Sequence, residues 1–327
     1  MTRTQRRLFG GLLAPALIAA AACAGVVTSE RPAAPQVAEQ LSWQSVDLGR
    51  AGADLAPGVA YSGGLWLGNA ELQGLSDLKI VGQAREGRIT ALSVSDFGAL
   101  VQFDMIVDGR ERLTSARGFR ISALTDPQGQ PLQPKARADA EGLAVQADGS
   151  VLVSFEGEHR IWSYGEGGAG RPVAVRHPEV DFANNAGMEG LATAPDGGWL
   201  VLGEDGGAWV CDPTACRALP QAPTTSRDGY RFTGADRDPS GAGWYVVERA
   251  YFPPIDMRVR VRHMAADGTL GPVLIALKSP ARVDNFEAIA ARAIPGGTQI
   301  FILSDDKANP LQQTLLLSFV LTREVGG

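Results

Sequence analysis

Asp139-Ala-Glu-Gly-Leu-Ala-Val-Gln-Ala-Asp-Gly-Ser-Val-Leu-Val-Ser-Phe-Glu156 reads as a strand, a tight turn and a second strand. Asp148-Gly149 between two β-rich runs is the pattern of a two-residue type I′ hairpin. One carboxylate, Glu141, opens the first strand, and another, Glu156, closes the second. The pattern then recurs. Glu189-Gly-Leu-Ala192 leads through Pro195-Asp-Gly-Gly198 to Trp199-Leu-Val-Leu-Gly-Glu204. Thr233-Gly-Ala-Asp236 leads through Pro239-Ser-Gly241 to Trp244-Tyr-Val-Val-Glu248. Glu287-Ala-Ile-Ala290 leads through Pro295-Gly-Gly297 to Ile300-Phe-Ile-Leu-Ser-Asp305. A weaker first copy runs from Gln73-Gly-Leu-Ser76 to Val94-Ser-Asp96.

The offsets make this a repeat. Glu141 to Glu156, Glu189 to Glu204 and Thr233 to Glu248 each span 15 positions, and openings 141, 189, 233 and 287 lie 48, 44 and 54 residues apart. Short strands repeating every ~40–50 residues indicate blades of a β-propeller. A β-sandwich has no reason to restore the same acid at the same offset. The expectation is an all-β, single-domain propeller. Five copies are legible, and about six blades fit the chain length at ~50 residues each. The sixth would be built from both termini, with residues 311–321 sharing a sheet with residues near 41–68. Five blades is the alternative.

Residues 1–22 read as an export signal, with Arg3, Arg6 and Arg7 ahead of an apolar run from Leu12 to Ala22. Arg6-Arg7-Leu8-Phe9 partly matches the twin-arginine pattern, which leaves Tat and Sec export both open. Ala20-Ala21-Ala22-Cys23 partly matches a lipoprotein box, with Cys23 as the lipidated residue; simple cleavage after Ala22 is the alternative. Residues 23–45 read as a flexible tether, and residues 46–327 as the propeller. Removing residues 1–22 takes the 30 basic residues to 27 against 36 acidic, a net charge of −9. Such a surface argues against nucleic-acid binding. The expected state is a monomer in the periplasm or held at the membrane by a lipid anchor. Cys211 and Cys216 flank a short turn and suit a disulfide in an oxidising compartment.

Equivalent positions of a propeller's inner strands form a ring about its axis. Glu141, Glu189 and Glu287 would converge there, with Gln73 and Thr233 completing the ring. Ionised carboxylates brought together need compensation, and an all-oxygen set favours Ca²⁺. The other reading of these residues is a polar clamp holding blade to blade. The closing positions Asp96, Glu156, Glu204, Glu248 and Asp305, with Asp306, make a second acidic set. Arg160, Arg249 and Lys307 trail some of them and suit an anionic substrate group. There is no G-x-S-x-G elbow, no phosphate loop and no H-E-x-x-H.

Gln73-Gly-Leu-Ser76, Asp139-Ala-Glu-Gly-Leu-Ala144, Gly187-Met-Glu-Gly-Leu-Ala192, Asp284-Asn-Phe-Glu-Ala-Ile289 and Leu303-Ser-Asp-Asp306 with Gln313-Thr-Leu-Leu-Leu317 resemble the bacterial phytase-like domain family, also described as "esterase-like activity of phytase". The resemblance spans about residues 45–321. It implies an exported propeller of loosely defined hydrolytic activity and carries over no catalytic residue. Gln73 and Thr233 stand where carboxylates would continue the ring, and Lys307 stands where the pattern often has Asn. Two functions compete: a Ca²⁺-assisted hydrolase of phosphate or carboxylate esters acting on an anionic small molecule, and a non-catalytic propeller that binds a ligand or partner.

Overall fold

The computed structural model describes residues 36–37, 42–49, 51–68, 72–82, 85–183, 186–226, 228–253, 255–307, 309 and 311–322. These residues form a propeller of five blades. The export signal and Cys23 lie outside the described residues. The innermost strands are Leu75–Ile80, Ala140–Val145, Met188–Thr193, Arg231–Arg237 and Phe286–Ile294, one per sheet, and each packs beside the next around the axis. Blades 1 to 5 are numbered here in that order.

The best sequence copy becomes a complete four-stranded blade. In blade 2, Ala140–Val145 pairs with Ser150–Phe155, then come Arg160–Glu166 and Val173–Val175, all antiparallel. The turn differs in type from the expectation. A type I′ turn needs positive φ at both central residues. Only Gly149 has it (φ 82), while the Gly149 N–H returns to Gln146 O at 2.9 Å. This is a three-residue turn with its left-handed residue last, a form that Asp148 favours by accepting the Ser150 N–H at 2.9 Å. Ala265–Thr269 repeats it, with Gly268 at φ 93.

No sixth blade forms. Thr314–Thr322 and Val59–Gly68 do share a sheet, but it is the sheet of the fifth legible copy, in the order Phe286–Ile294, Gly297–Ser304, Thr314–Thr322, Val59–Gly68, Ser42–Ser45. Val59–Gly68 therefore completes blade 5 and closes the ring, and no described strand is left over for another blade. The tether reading is likewise corrected for its last residues. Gln36–Val37 adds an edge strand to blade 1, and Ser42–Ser45 adds one to blade 5.

The apolar core is divided among the interfaces between neighbouring blades. Leu75, Phe103 and Phe119 of blade 1 pack with Phe301 and Leu316 of blade 5. Leu143, Val153 and Phe155 of blade 2 pack with Val94 and Leu100 of blade 1. Three further clusters join blades 2 and 3, 3 and 4, and 4 and 5. Burying each such Leu or Phe contributes about 1.5–3 kcal/mol. The blades are thus held by their flanks, and the inner-strand residues that face the axis are free to carry charge.

Candidate functional site

Every inner strand carries the same irregularity near its start. Register shifts by one residue between Leu75 and Asp77, Met188 and Gly190, Phe232 and Gly234, and Phe286 and Ala288, and between Ala140 and Leu143 in blade 2. A β-bulge adds one unpaired residue and re-aims its side chain. The bulged residues are Ser76, Glu141, Glu189, Thr233 and Glu287. Small residues follow four of them, and the close packing explains why: a Cβ on Gly234 would lie 2.3 Å from Glu287 O of the next blade.

Two more rings follow from the same register. The residues two before the bulge are Gly74, Asp139, Gly187, Arg231 and Asn285. In four blades their carbonyl or strand partner is the closing residue: Asp96 N to Gly74 O at 2.8 Å, Glu156 N to Asp139 O at 2.8 Å, Glu204 N to Gly187 O at 3.0 Å and Asp305 N to Asn285 O at 2.9 Å. In blade 4, Arg231 pairs with Arg249. The closing ring is therefore Asp96, Glu156, Glu204, Arg249 and Asp305.

The three rings meet at one channel mouth. Glu141 feels the charges of Glu189, Glu287, Asp139 and Glu156, which come from three different blades. Burial, then these like charges, raises the Glu141 carboxyl well above the usual range, and burial, then Glu287, Glu204 and Glu156, does the same to Glu189. Burial and then the nearby Asp139 and Glu204 push Glu156 up to about 7, and burial and then Glu287 push Asp305 up to about 9. Among the described residues, the carboxylates of Glu141, Glu156 and Glu189 make no hydrogen bond or ion pair. Asp139, Glu141 and Glu156 bring one oxygen each to within 4.8 Å of one another, half-buried, a set that could hold a metal ion.

Four cations reach into the same mouth. Arg249 Nη1 lies 3.1 Å from Glu287 Oε1, and its Nη2 lies 3.6 Å from Glu204 Oε1; Arg249 also donates to Asn285 Oδ1. Arg231 Nη1 lies 3.1 Å from Glu204 Oε2. Lys307 Nζ lies 3.4 Å from Glu287 Oε1 and 3.9 Å from Asp305 Oδ2. Lys307 has φ 46, a left-handed conformation that Asn adopts more readily. Asp305 Oδ1 holds it there by accepting the Lys307 N–H at 2.6 Å. Lys135 pairs with Asp139 at 2.8 Å and Asp96 at 3.2 Å. The mouth thus sets Lys135, Arg231, Arg249 and Lys307 against twice as many carboxylates: Asp96, Asp139, Glu141, Glu156, Glu189, Glu204, Glu287 and Asp305.

Several expected positions are corrected by this register. Gln73 is not in the bulge ring; Ser76 is, and Gln73 serves through its carbonyl, which accepts the Ser95 hydroxyl at 2.8 Å. Thr233 is in the ring, but its hydroxyl donates to Phe286 O of blade 5 at 3.1 Å and so clamps two blades. Glu248 leaves the acidic ring because the turn of blade 4 is one residue longer, and a one-residue slip sends a strand side chain to the other face. It instead takes Arg260 in two bonds, at 2.7 and 2.8 Å. Asp306 follows the closing position and is engaged in bonds of its own, accepting from Gly74 N at 3.2 Å and the Thr314 hydroxyl at 3.1 Å. Arg160 stacks 4.0 Å from the Phe155 ring centroid and 4.4 Å from that of Trp162, so it does not stand at the mouth as an anion donor.

Sequence reasoning missed Asp139, Arg231, Asn285 and Lys135 as mouth residues. The first three share the position two before the bulge, a signal visible only once the bulge is known. Deeper along the axis, Asp77 and Lys79 pair at 2.6 Å, and Asp77 Oδ2 accepts Leu143 N of blade 2 at 2.7 Å. Asp236 Oδ2 likewise accepts Ala291 N of blade 5 at 2.7 Å. Cys211 and Cys216 are joined by a disulfide across the ends of neighbouring strands in blade 3.

No curated protein matches the chain. Among solved structures it is similar to the major Malassezia sympodialis allergen Mala s 1, at 12% identity over 84% of this chain and 93% of that one with a TM-score of 0.42. It is also similar to the catalytic domain of the Coprinopsis cinerea GH62 α-L-arabinofuranosidase, at 11% identity over 77% of this chain and 93% of that one with a TM-score of 0.44. Likenesses this distant say nothing of activity. Residues 70–308, most of the chain and all five bulged strands, match the sequence profile described as esterase-like activity of phytase, and the chain belongs to that phytase-like family.

Proposed function

We propose that the acidic channel mouth hydrolyses esters of an anionic small molecule with the help of a bound Ca²⁺. The observation that carries this reading is the division of the mouth. Blade 2 offers Asp139, Glu141 and Glu156 as an all-oxygen group with one cation, Lys135, paired to it, while Arg231, Arg249 and Lys307 line a neighbouring cleft and Lys307 is also felt by Glu141 and Glu156. The carboxylate trio fits a hard divalent cation by donor type and by the surplus of negative charge around it. Such an ion, when bound, would supply Lewis-acid activation and charge neutralisation at the ester.

The protein's own residues would do the rest. Arg249 and Lys307 receive the anionic group, and Arg231 flanks them. Glu189, whose carboxylate has no hydrogen bond or ion pair among the described residues, accepts a proton from the attacking water. The water oxygen bonds to the phosphorus or acyl carbon, the bond to the ester oxygen breaks, and the alcohol leaves with a proton. An export signal over residues 1–22 would place this chemistry outside the cytoplasm; an intact Met1 on the cytoplasmic protein would refute that placement.

The test is turnover of aryl phosphate and aryl acetate with and without Ca²⁺, in wild type and Glu141→Gln. The expected result is Ca²⁺-dependent hydrolysis of at least one ester class, lost in the variant. Ca²⁺ binding without turnover of either would leave a ligand-binding propeller. Turnover indifferent to Ca²⁺ would reject the role of the cation.

A further inference from the structure

The cleft of about 800 Å³ beside the channel mouth is lined by two unlike sets of side chains. Arg231, Arg249 and Lys307 form one. Tyr251, Ile255 and Leu311 belong to the other. Ile255 is 86% exposed and Leu311 90%. Single exposed apolar side chains need no explanation. These come from separate segments, one between the strands Gly243–Phe252 and Asp256–Ala265 of blade 4 and one between Gly297–Ser304 and Thr314–Thr322 of blade 5, yet they line one cleft with the cations.

The charges limit what the cationic wall can accept. Arg231 is already paired with Glu204 and Asp205, Arg249 with Glu204 and Glu287, and Lys307 with Glu287 and Asp305. The remaining donor capacity suits one anionic group. A ligand carrying many phosphates would set the rest of them against the surrounding carboxylates at a cost that grows with each charge. Asn285, Asn309 and Gln312 also line the cleft and can bond a polyol, but the Ile255 and Leu311 side chains offer it nothing. The apolar set matches instead a ligand whose second part is shed from water.

We infer that the cleft selects esters with a single anionic group joined to an aryl or branched alkyl part, and disfavours polyphosphorylated polyols. This rests on the mouth being an ester-hydrolase centre, and it names the substrate class of that centre. The phosphate lies on Arg249 and Lys307, and the apolar part lies against Ile255, Leu311 and the Tyr251 ring.

Calorimetric titration of the Ca²⁺-supplied full chain with phenylphosphonate, methylphosphonate and inositol hexakisphosphate tests this without turnover. Phenylphosphonate should bind about tenfold tighter than methylphosphonate, the effect of covering part of one ring. The double substitution Ile255→Ser with Leu311→Ser, both at exposed positions, should bring phenylphosphonate down to the methylphosphonate affinity. Equal binding of the two in wild type, a preference that survives the double substitution, or tighter binding of the hexakisphosphate would each overturn the inference. A phenyl preference in a protein that turns over no ester would retain the cleft's selectivity and reject the hydrolase reading alone.

Discussion

In blade 2 the three positions that face the channel mouth are Asp139, Glu141 and Glu156; in blade 4 the same three positions are Arg231, Thr233 and Arg249. The backbone is shared down to the bulge, so the repeat decides where the side chains point. It does not decide their charge. Blade 2 accumulates carboxylates whose repulsion is left for a ligand or for protons to relieve. Blade 4 satisfies its own groups, with Thr233 bonded to the next blade and Arg249 bridging Glu204 and Glu287. A ring with five-fold backbone similarity thereby becomes a mouth with an acidic side and a basic side.

The largest expected effect is in the basic side. Arg249→Met leaves Glu204 and Glu287, both buried, short of a partner. Removing one member of a buried ion pair costs about 3–5 kcal/mol, which urea unfolding would measure. A loss under 1 kcal/mol would mean that solvent already compensates these carboxylates and that the two blades differ less than the structure indicates.

The clamps come next, and they too distinguish the blades. Blade 2 is fastened to blade 3 by Ser154, whose hydroxyl donates to Met188 O at 2.7 Å and accepts Gly142 N at 2.9 Å, fully buried. Ser154→Ala orphans both partners and should cost about 1–3 kcal/mol. Thr233→Val removes one donated bond in blade 4 and should cost less by the same measurement. The reverse order would show that the bulge residue carries the clamp in both.

A smaller effect of opposite sign is expected in the acidic side. Glu141→Gln removes one of the crowded charges, so at pH 8 without Ca²⁺ the variant should melt at a higher temperature than wild type. The pH dependence has the same origin. Folded carboxyls raised above their ordinary values, Glu156 to about 7 and Asp305 to about 9, hold protons that the unfolded chain releases near 4. The folded state then binds more protons between those limits. The stability that these two groups contribute is full below about pH 4 and declines as pH rises toward 9. Melting temperatures across that range, with and without Ca²⁺, check it. A flat apo profile would show that the acidic side is not under repulsion.

How far the sequence could be read follows from the same contrast. The strand pairs, the repeated opening residue and the convergence of Glu141, Glu189 and Glu287 were legible because side-chain alternation and repeat register suffice to place them. The blade count was not, because nothing local in Val59–Gly68 says that it completes the last sheet rather than starting another. Glu248 and Arg249 could not be told apart, since equal spacing in three copies hid one extra residue in the turn of blade 4. Gln73 was matched by its neighbours Gly74-Leu75, whereas the bulge makes Ser76 the equivalent. Arg160 looked available to an anion because stacking on Phe155 and Trp162 is a tertiary fact. Asp139 and Arg231 were overlooked because their importance depends on a bulge that has no signature of its own.

Calorimetric titration of Ca²⁺ into the purified full chain near pH 7.5, repeated in two buffers of different ionisation enthalpy, tests the central claim most directly. Crowded carboxyls that share protons must release them when a cation binds. Saturable binding with proton release is expected, reduced in Glu141→Gln. Absence of binding, or binding with no proton exchanged, would contradict it.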